Sequence, residues 1–419
     1  MNERRRVMIT GLGAITPSGV DVPTLWGNVV HGRSAITTLD GHEFENLAVR
    51  IGGDVKGFDA TTVLKPSLAR RLSPSQHWAI AAGDQAMEQA GWTPETGEMP
   101  WDPQRFAIMA ATGSGPVDAM QQATRILDQK GPRSVPLTLA IHGAPDAAAA
   151  ILSQRYQAFG PAQGVSATCA SGAIALGEAM RRIRHGYADA VLVVGMEDCL
   201  NAVNLASNAN MRALAAGYED DPTAASRPFD RARSGFVMSA GSAAILLESE
   251  ESARARGATA LAELAGFGAA SDAYHATAPH PEGRGAAQAV RDCLADAGVT
   301  AETVDHINAH GTGTPAGDAA ELNALEAALG DRARTIPISA TKSSMGHLLG
   351  ASGVVEAVIA VQAIRNGILP PTINLQDPEF EGWDIVAGEA RRQQVTAVLS
   401  NSFGFGGHNG AVLITRGNE

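Results

Sequence analysis

Two stretches of this 419-residue chain repeat one another in order and in ending. Val165-Ser166-Ala167-Thr168 precedes Cys169, and Ile338-Ser339-Ala340-Thr341 precedes Lys342. Each is followed by a Gly/Ala-rich helical stretch. The first stretch ends Ile183-Arg184-His185-Gly186 and the second, longer one Ile364-Arg365-Asn366-Gly367. Chance similarity of short motifs is the competing explanation, but the shared order and endings favour duplication of a strand–turn–helix unit. The halves divide near residue 255, inside the helix-like stretch Ser249–Arg256, giving 1–255 and 256–419. No low-complexity linker marks that point, so the halves are expected to share one core.

Short apolar runs alternate with amphipathic ones. Arg6–Gly11, Arg105–Ala111, Ala190–Gly195, Ala243–Leu247, Thr259–Gly266, Val304–Ala309, Thr335–Ser339, Ala397–Ser400 and Gly410–Thr415 read as strands. Pro23–His31 and Ser73–Ala90 read as helices. The pattern predicts an α/β chain with largely parallel or mixed sheets. Hydrophobic residues make up 45% and charged residues 18%, enough to bury a large core. The 46 glycines exceed the usual ~7% and indicate many tight turns and close backbone approaches. A net charge of −12 argues against a general nucleic-acid or anionic-membrane binder. Three cysteines, Cys169, Cys199 and Cys293, exclude a disulfide scaffold and fit a reducing cytoplasm. Behind Arg4-Arg5-Arg6 the apolar run is too short for a signal peptide, and no membrane span is expected.

Cys169 lies between a strand-like segment and a helix start. A thiol there meets outward-pointing helix amides and the dipole, which lower its pKa. Ala170, Ser171 and Gly172 permit the sharp turn of a nucleophile elbow. A buried structural cysteine is the alternative, and it is the expectation for Cys199 and Cys293. Val304–Ala309 leads into His310-Gly311-Thr312-Gly313-Thr314-Pro315, which puts an imidazole at a strand's C-terminal end. Lys342-Ser343-Ser344-Met345-Gly346-His347 offers a lysine and a second histidine after the repeated strand. Each histidine alone would be structural; with an elbow cysteine they form a candidate site. A zinc site fits poorly, because Cys169, His310 and His347 include no closely spaced ligand pair. A Cys-His protease leaves the second histidine and the lysine unexplained. Asn401-Ser402-Phe403-Gly404-Phe405-Gly406-Gly407-His408-Asn409 reads as a glycine turn bearing aromatics. It is an ordinary hairpin or a loop whose amide completes an oxyanion hole. Gly311-Thr312-Gly313-Thr314 lacks the lysine of a phosphate-binding loop.

The stretches ITGLGAITPSG, SATCASG, ASRPFD, SDAYHATAP, NAHGTGTPAGDAAE, TKSSMGHLLGASG, PPTINL and NSFGFGGHNG run in order from residue 9 to residue 410. In them the chain resembles the elongating β-ketoacyl-acyl-carrier-protein synthases, of the type II fatty-acid and polyketide systems. The resemblance implies the thiolase fold: two similar halves in a layered α-β-α-β-α arrangement, usually dimeric. It implies a catalytic nucleophile at Cys169 that takes an acyl group from a carrier-protein thioester. His310 and His347 would hydrogen-bond the thioester carbonyl of malonyl-carrier protein and stabilise the enolate as carbon dioxide leaves. The amides of Cys169 and Phe405 would hold the oxyanion. Lys342 would orient the site electrostatically, with Asp318 or Glu321 as partner. Thr312 and Thr314 would bind the phosphopantetheine arm; Phe405 would gate the acyl pocket, with Phe403 beside it. No bound cofactor or metal is implied. The partners implied are an acyl carrier protein docked at Lys65, Arg70, Arg71, Arg133 and Arg212, and a second subunit. That subunit is an identical copy or a related chain-length factor.

Three departures from the family pattern bear on acyl-chain preference. Ser239-Ala240 stands where the family carries glycine and an acid, His408 where threonine is common, and Pro116 where an aliphatic residue is usual. Two rival functions remain open on the sequence. A biosynthetic thiolase would need a second catalytic cysteine late in the chain, and Ser402–Asn409 has none. A non-catalytic chain-length subunit would lack the nucleophile.

Overall fold

The computed structural model describes residues 4–93 and 96–417. Ten strands form one mixed sheet. They are β1 (Val7–Ile15), β2 (Phe106–Ala111), β3 (Ala162–Val165), β4 (Ala190–Glu197), β5 (Gly241–Ser249), β6 (Ala262–Ser271), β7 (His306–Asn308), β8 (Ile338–Ser339), β9 (Ala397–Gly404) and β10 (His408–Thr415). Their order is β8-β7-β9-β10-β6-β1-β5-β4-β2-β3. Each half therefore carries the same order, counted from its own first strand. The directions repeat too. β2 runs parallel to β3 and β4, as β7 does to β8 and β9. The β4–β5–β1 ladder is antiparallel, as is β9–β10–β6. Two residue pairs, Met8 with Glu263 and Ile9 with Ala262, join the half-sheets. The duplication seen in two short motifs thus extends over the whole topology.

Six helices complete the layers: α1 (Pro74–Gln89), α2 (Ala147–Tyr156), α3 (Ser171–Arg184), α4 (Arg284–Ala297), α5 (Pro315–Leu329) and α6 (Ser352–Asn366). α1 and α2 cover the outer face of the first half-sheet. α4 and α5 cover the outer face of the second. α3 and α6 lie between the halves in the largest core. This is the five-layer arrangement expected from the resemblance. It explains the unbroken apolar run of β4. Val191 and Val193 enter the central layer while Leu192 and Val194 face α1 and α2, so both faces are dry. α6 is buried on every side from Ser352 to Val361, so it carries no polar stripe. The N-terminal ends of α3 and α6 touch through glycine. A Cβ on Gly172 would lie 2.8 Å from the Val354 nitrogen, and one on Gly353 2.5 Å from the Ala173 nitrogen. That contact brings the turn before each helix, one from each repeat, to a common centre.

Element boundaries differ from the sequence-based ones for physical reasons. β7 and β8 are shorter than expected: each begins late, behind a 3-10 helix, Ala301–Thr303 before β7 and Gly330–Thr335 before β8. β9 runs on to Gly404, so part of the expected aromatic loop is strand. The strand expected over Val165–Thr168, just before Cys169, lies three residues earlier, as β3. It is a largely exposed edge strand, Ala-Gln-Gly-Val, with no alternating apolar face.

Candidate active site

Cys169 sits two residues before α3, in a strained turn. Thr168 adopts φ = 51°, a left-handed conformation costly for a β-branched residue. Ser171 holds the turn: its Oγ accepts from the Ala167 amide at 2.8 Å and donates to the Thr168 carbonyl at 2.6 Å. Thr168 Oγ1 donates to the Phe405 carbonyl at 2.9 Å. Between them, Gly404 leaves no room for a side chain, since a Cβ there would lie 2.2 Å from Thr168 Oγ1. The Phe405 and Cys169 amides both favour the Cys169 thiolate, as donors to an oxyanion would. Burial nevertheless pushes the thiol up to about 12, against the pull of the Lys342 ammonium and with the Glu197 carboxylate pushing further up. The lowering expected from the helix terminus is therefore overturned: desolvation outweighs the dipole. Cys199 and Cys293 are fully buried in the core, as expected of structural cysteines.

His310 follows β7, held by its backbone. Glu321 of α5 accepts from the His310 amide at 2.8 Å and from the Gly311 amide at 2.8 Å. His347 follows a short helical turn, Lys342–Met345, which stands in the second half where the Cys169 turn stands in the first. Its amide donates to the Val237 carbonyl at 2.7 Å, and its Nδ1 lies 2.9 Å from Ser352 Oγ. That hydroxyl has no other acceptor among the described residues, so its proton goes to Nδ1 and leaves Nε2–H as a donor. The two rings stand edge to face with centroids 5.3 Å apart. His310 Nδ1 and His347 Nε2 are buried and have no hydrogen-bond partner among the described residues. Burial, then the Lys342 charge, holds both imidazoles well below the usual histidine range, so both are neutral at physiological pH.

Lys342 is fully buried and pairs with Glu356 of α6. Of the two partners expected from the sequence, neither Asp318 nor Glu321 is ion-paired with Lys342 among the described residues, although the Lys342 charge still pulls on the Glu321 carboxyl. Asp318 accepts from the Phe229 and Gly313 amides at 2.8 and 3.0 Å and faces Arg233 at 3.4 Å. Glu321 is occupied by the His310 and Gly311 amides. Burial pushes the Glu356 carboxyl up to about 7, with Lys342 pulling it back. Lys342→Met therefore strands a carboxyl in the core. We expect a loss of about 3–5 kcal/mol of stability, read from chemical denaturation.

One cavity of about 350 Å³ gathers most of the candidates. Cys169, His310, His347, Thr312, Thr314, Glu321, Phe403, Phe405 and Arg212 all line it. Thr312 Oγ1 and Thr314 Oγ1 lie 3.0 Å apart on one wall. Phe403 packs 5.9 Å from His310, and Phe236 bridges His347 and Phe405 at 5.4 and 6.4 Å. Lys342 and Asp318 lie outside the lining, behind the histidines. Lys65, Arg70, Arg71, Arg133 and Arg212 are exposed, and none forms an ion pair among the described residues. Of the departures, Ala240 is fully buried, and Ser239 Oγ donates to the Met345 carbonyl at 2.7 Å, tying this turn to the His347 segment without an acid. Pro116 is buried before the helix Val117–Lys130, and His408 is exposed at the start of β10. Among the described residues no group of three His, Cys, Asp or Glu is placed to hold a metal, and no helix is long and apolar enough to cross a membrane.

Comparison with known proteins agrees with this arrangement. Residues 4–253 match the beta-ketoacyl synthase N-terminal domain, and residues 261–376 the beta-ketoacyl synthase C-terminal domain. A 3-oxoacyl-[acyl-carrier-protein] synthase 2 of Synechocystis sp. is 42% identical over 409 residues, 97% of each chain. A protein of the same name from Rhizobium meliloti is 40% identical over 420 residues, covering 98% of this chain and 99% of that one. Among solved structures, the ishigamide ketosynthase/chain length factor matches at 29% identity with a TM-score of 0.91, over 99% of this chain and 100% of its own. A type II PKS ketosynthase, in complex with its acyl-carrier protein and bound to the hexaketide, matches at 30% with a TM-score of 0.89 and the same coverage. The molecule is a condensing acyltransferase of the thiolase fold. Within that class, the chain belongs to the β-ketoacyl synthase family.

Proposed function

We propose that the protein condenses malonyl-acyl carrier protein with an acyl group held on Cys169, giving 3-oxoacyl-carrier protein and carbon dioxide. The observation that carries this reading is the meeting of Cys169 with the neutral imidazoles of His310 and His347 in one cavity. In the first half-reaction the Cys169 sulfur attacks an acyl thioester. The tetrahedral oxyanion is held by the Cys169 and Phe405 amides, and the proton lost by Cys169 ends on the departing pantetheine sulfur. In the second, the bond from the malonyl α-carbon to its carboxylate breaks, and the electron pair delocalises into the thioester as an enolate. His310 and His347 donate to that oxygen. The enolate carbon bonds the acyl carbon, the Cys169 carbon–sulfur bond breaks, and a proton restores the thiol. Neutral donors suit this step, because an enolate needs preorganised hydrogen bonds more than a strong base.

Thr312 and Thr314, which line that cavity, hold the pantetheine arm in this reading, and Phe405 and Phe403 gate the acyl pocket. Lys342 acts from behind by its charge. The exposed, unpaired cations Lys65, Arg70, Arg71, Arg133 and Arg212 suit an acidic carrier protein. Reversing Arg70 and Arg71 to Glu raises KM for the carrier by about tenfold at low salt, leaves kcat unchanged, and loses its effect as ionic strength rises. Initial-rate kinetics across a salt series checks this. The chain divides near residue 255 into two halves, which the repeated strand order supports. A second subunit, identical or related, would cover the exposed edge of β3 and the exposed side chains of Leu137, Ile141 and Phe159. Three unpaired cysteines accord with a cytoplasmic setting.

The direct test supplies acyl- and malonyl-carrier protein and follows 3-oxoacyl product and carbon dioxide together. Equal formation of both supports the reading. Turnover of coenzyme A thioesters alone would revive the thiolase alternative. Acyl-chain preference, together with co-purification of a related subunit lacking the nucleophile, separates polyketide or polyene extension from fatty-acid elongation.

A further inference from the structure

Glu197, the last residue of β4, is buried at 1% exposure and was not among the sequence candidates. Five donors converge on its carboxylate. Oε2 accepts from the Gly113 amide at 2.6 Å and from the Gly350 amide at 3.0 Å. Oε1 accepts from Ser114 Oγ at 2.6 Å, Thr112 Oγ1 at 3.1 Å and the Ser114 amide at 3.2 Å. These donors come from both halves. Residues 112–114 follow β2 and touch the nucleophile turn: Ser171 Oγ also donates to the Thr112 carbonyl at 3.1 Å, and a Cβ on Gly113 would lie 3.1 Å from the Thr168 carbonyl. Gly350 lies three residues past His347. The backbones are pressed together, so that a Cβ on Gly350 would sit 2.1 Å from the Gly113 nitrogen. Beside it Leu349 holds φ = 43°, a strained value for leucine that surrounding contacts must maintain.

We propose that Glu197 is a positioning residue for condensation: its carboxylate fastens the turn beneath Cys169 to the loop that carries His347. The nucleophile and the second histidine come from opposite halves, and no covalent neighbour sets their spacing. A carboxylate saturated by donors from both sides sets it instead. Acylation uses Cys169 and the adjacent amides and tolerates a looser spacing. Condensation needs the histidine-held enolate within bonding distance of the acyl carbon and does not. The inference rests on the roles given above to Cys169 and His347.

Glu197→Gln tests it, because glutamine keeps the shape and most contacts but loses the charge and one acceptor. Lys342 and Glu197 act on the Cys169 thiol, and Arg212, Asp272, His310, Glu321 and His347 line the same cavity. Removing the Glu197 charge leaves Lys342 less opposed, so the alkylation rate of Cys169 by iodoacetamide near pH ~8 rises by roughly three- to tenfold. In the same variant, single-turnover acylation does not fall below about a third of the wild-type rate, while condensation of the acyl-enzyme falls by about tenfold or more. Glu197→Ala, which strands five donors, is expected to lose thermal stability as well. A Glu197→Gln enzyme that condenses at the wild-type rate overturns the proposal. So does one that loses acylation and condensation equally, with unchanged alkylation. Failure of the wild-type protein to become acylated at all would instead overturn the proposed function on which the inference rests.

Discussion

Cys169→Ala abolishes acyl transfer and condensation. The sulfur is the one protein atom in the proposed scheme that bonds the acyl carbon, so its loss leaves no covalent route and activity falls to background. Folding should survive, because the change removes one buried sulfur at the wall of an existing cavity rather than opening a new one in a packed core. The same variant carries a sharper expectation. His310 and His347 keep their own supports: the Glu321 carboxylate under the His310 backbone and the Ser352 hydroxyl at His347 Nδ1. Decarboxylation of malonyl-carrier protein therefore persists in Cys169→Ala while product does not form. Carbon dioxide release measured beside acyl-enzyme mass separates the two. Retention of full condensation activity would support the rival reading of a chain that only shapes a partner's pocket.

His310→Ala and His347→Ala produce the complementary pattern. Each removes one neutral donor from a dry site, and each lowers decarboxylation and condensation by about 10²-fold or more. Acylation of Cys169 continues, since its oxyanion is held by backbone amides that neither histidine supplies. Rapid-quench measurement of the two half-reactions resolves them, and equal loss of acylation in both variants would contradict this division of labour. The pH dependence follows from the same geometry. Burial and Lys342 hold both imidazoles well below the usual range, so the neutral form is present throughout about pH 6–8. The decarboxylation rate should show no histidine inflection in that window. Lowering the pH towards the depressed folded values charges the rings and removes the site's neutral donors.

The fold was legible to the extent that packing leaves a mark on one-dimensional pattern. The SAT repeat exposed the duplication because both copies place small residues at the same strand-to-helix turn, where α3 and α6 meet through glycine. The run Ala190–Gly195 announced a strand buried on both sides. β3 left no such mark, because an edge strand with exposed polar residues has no periodic apolar face. The site was legible where side chains project from turns after strands, as Cys169, His310 and His347 do. The groups behind it were harder to see. Glu356 carries a usable signal, a lone charge inside the otherwise apolar helix Ser352–Val361, and that charge answers Lys342. The resemblance implied Asp318 or Glu321 as its partner, yet the Glu321 carboxylate serves the His310 and Gly311 amides, and Asp318 serves the Phe229 and Gly313 amides and faces Arg233. The state of the Cys169 thiol was not legible at all. Local sequence indicates a helix terminus, whereas desolvation by the assembled halves sets the balance.

The most direct measurement is intact mass with peptide mapping after the purified protein meets a panel of acyl-carrier proteins. The account predicts one acyl adduct per chain, mapped to Cys169, absent from Cys169→Ala and discharged when malonyl-carrier protein is added. An adduct on another residue, or one that malonyl-carrier protein leaves in place, would contradict it.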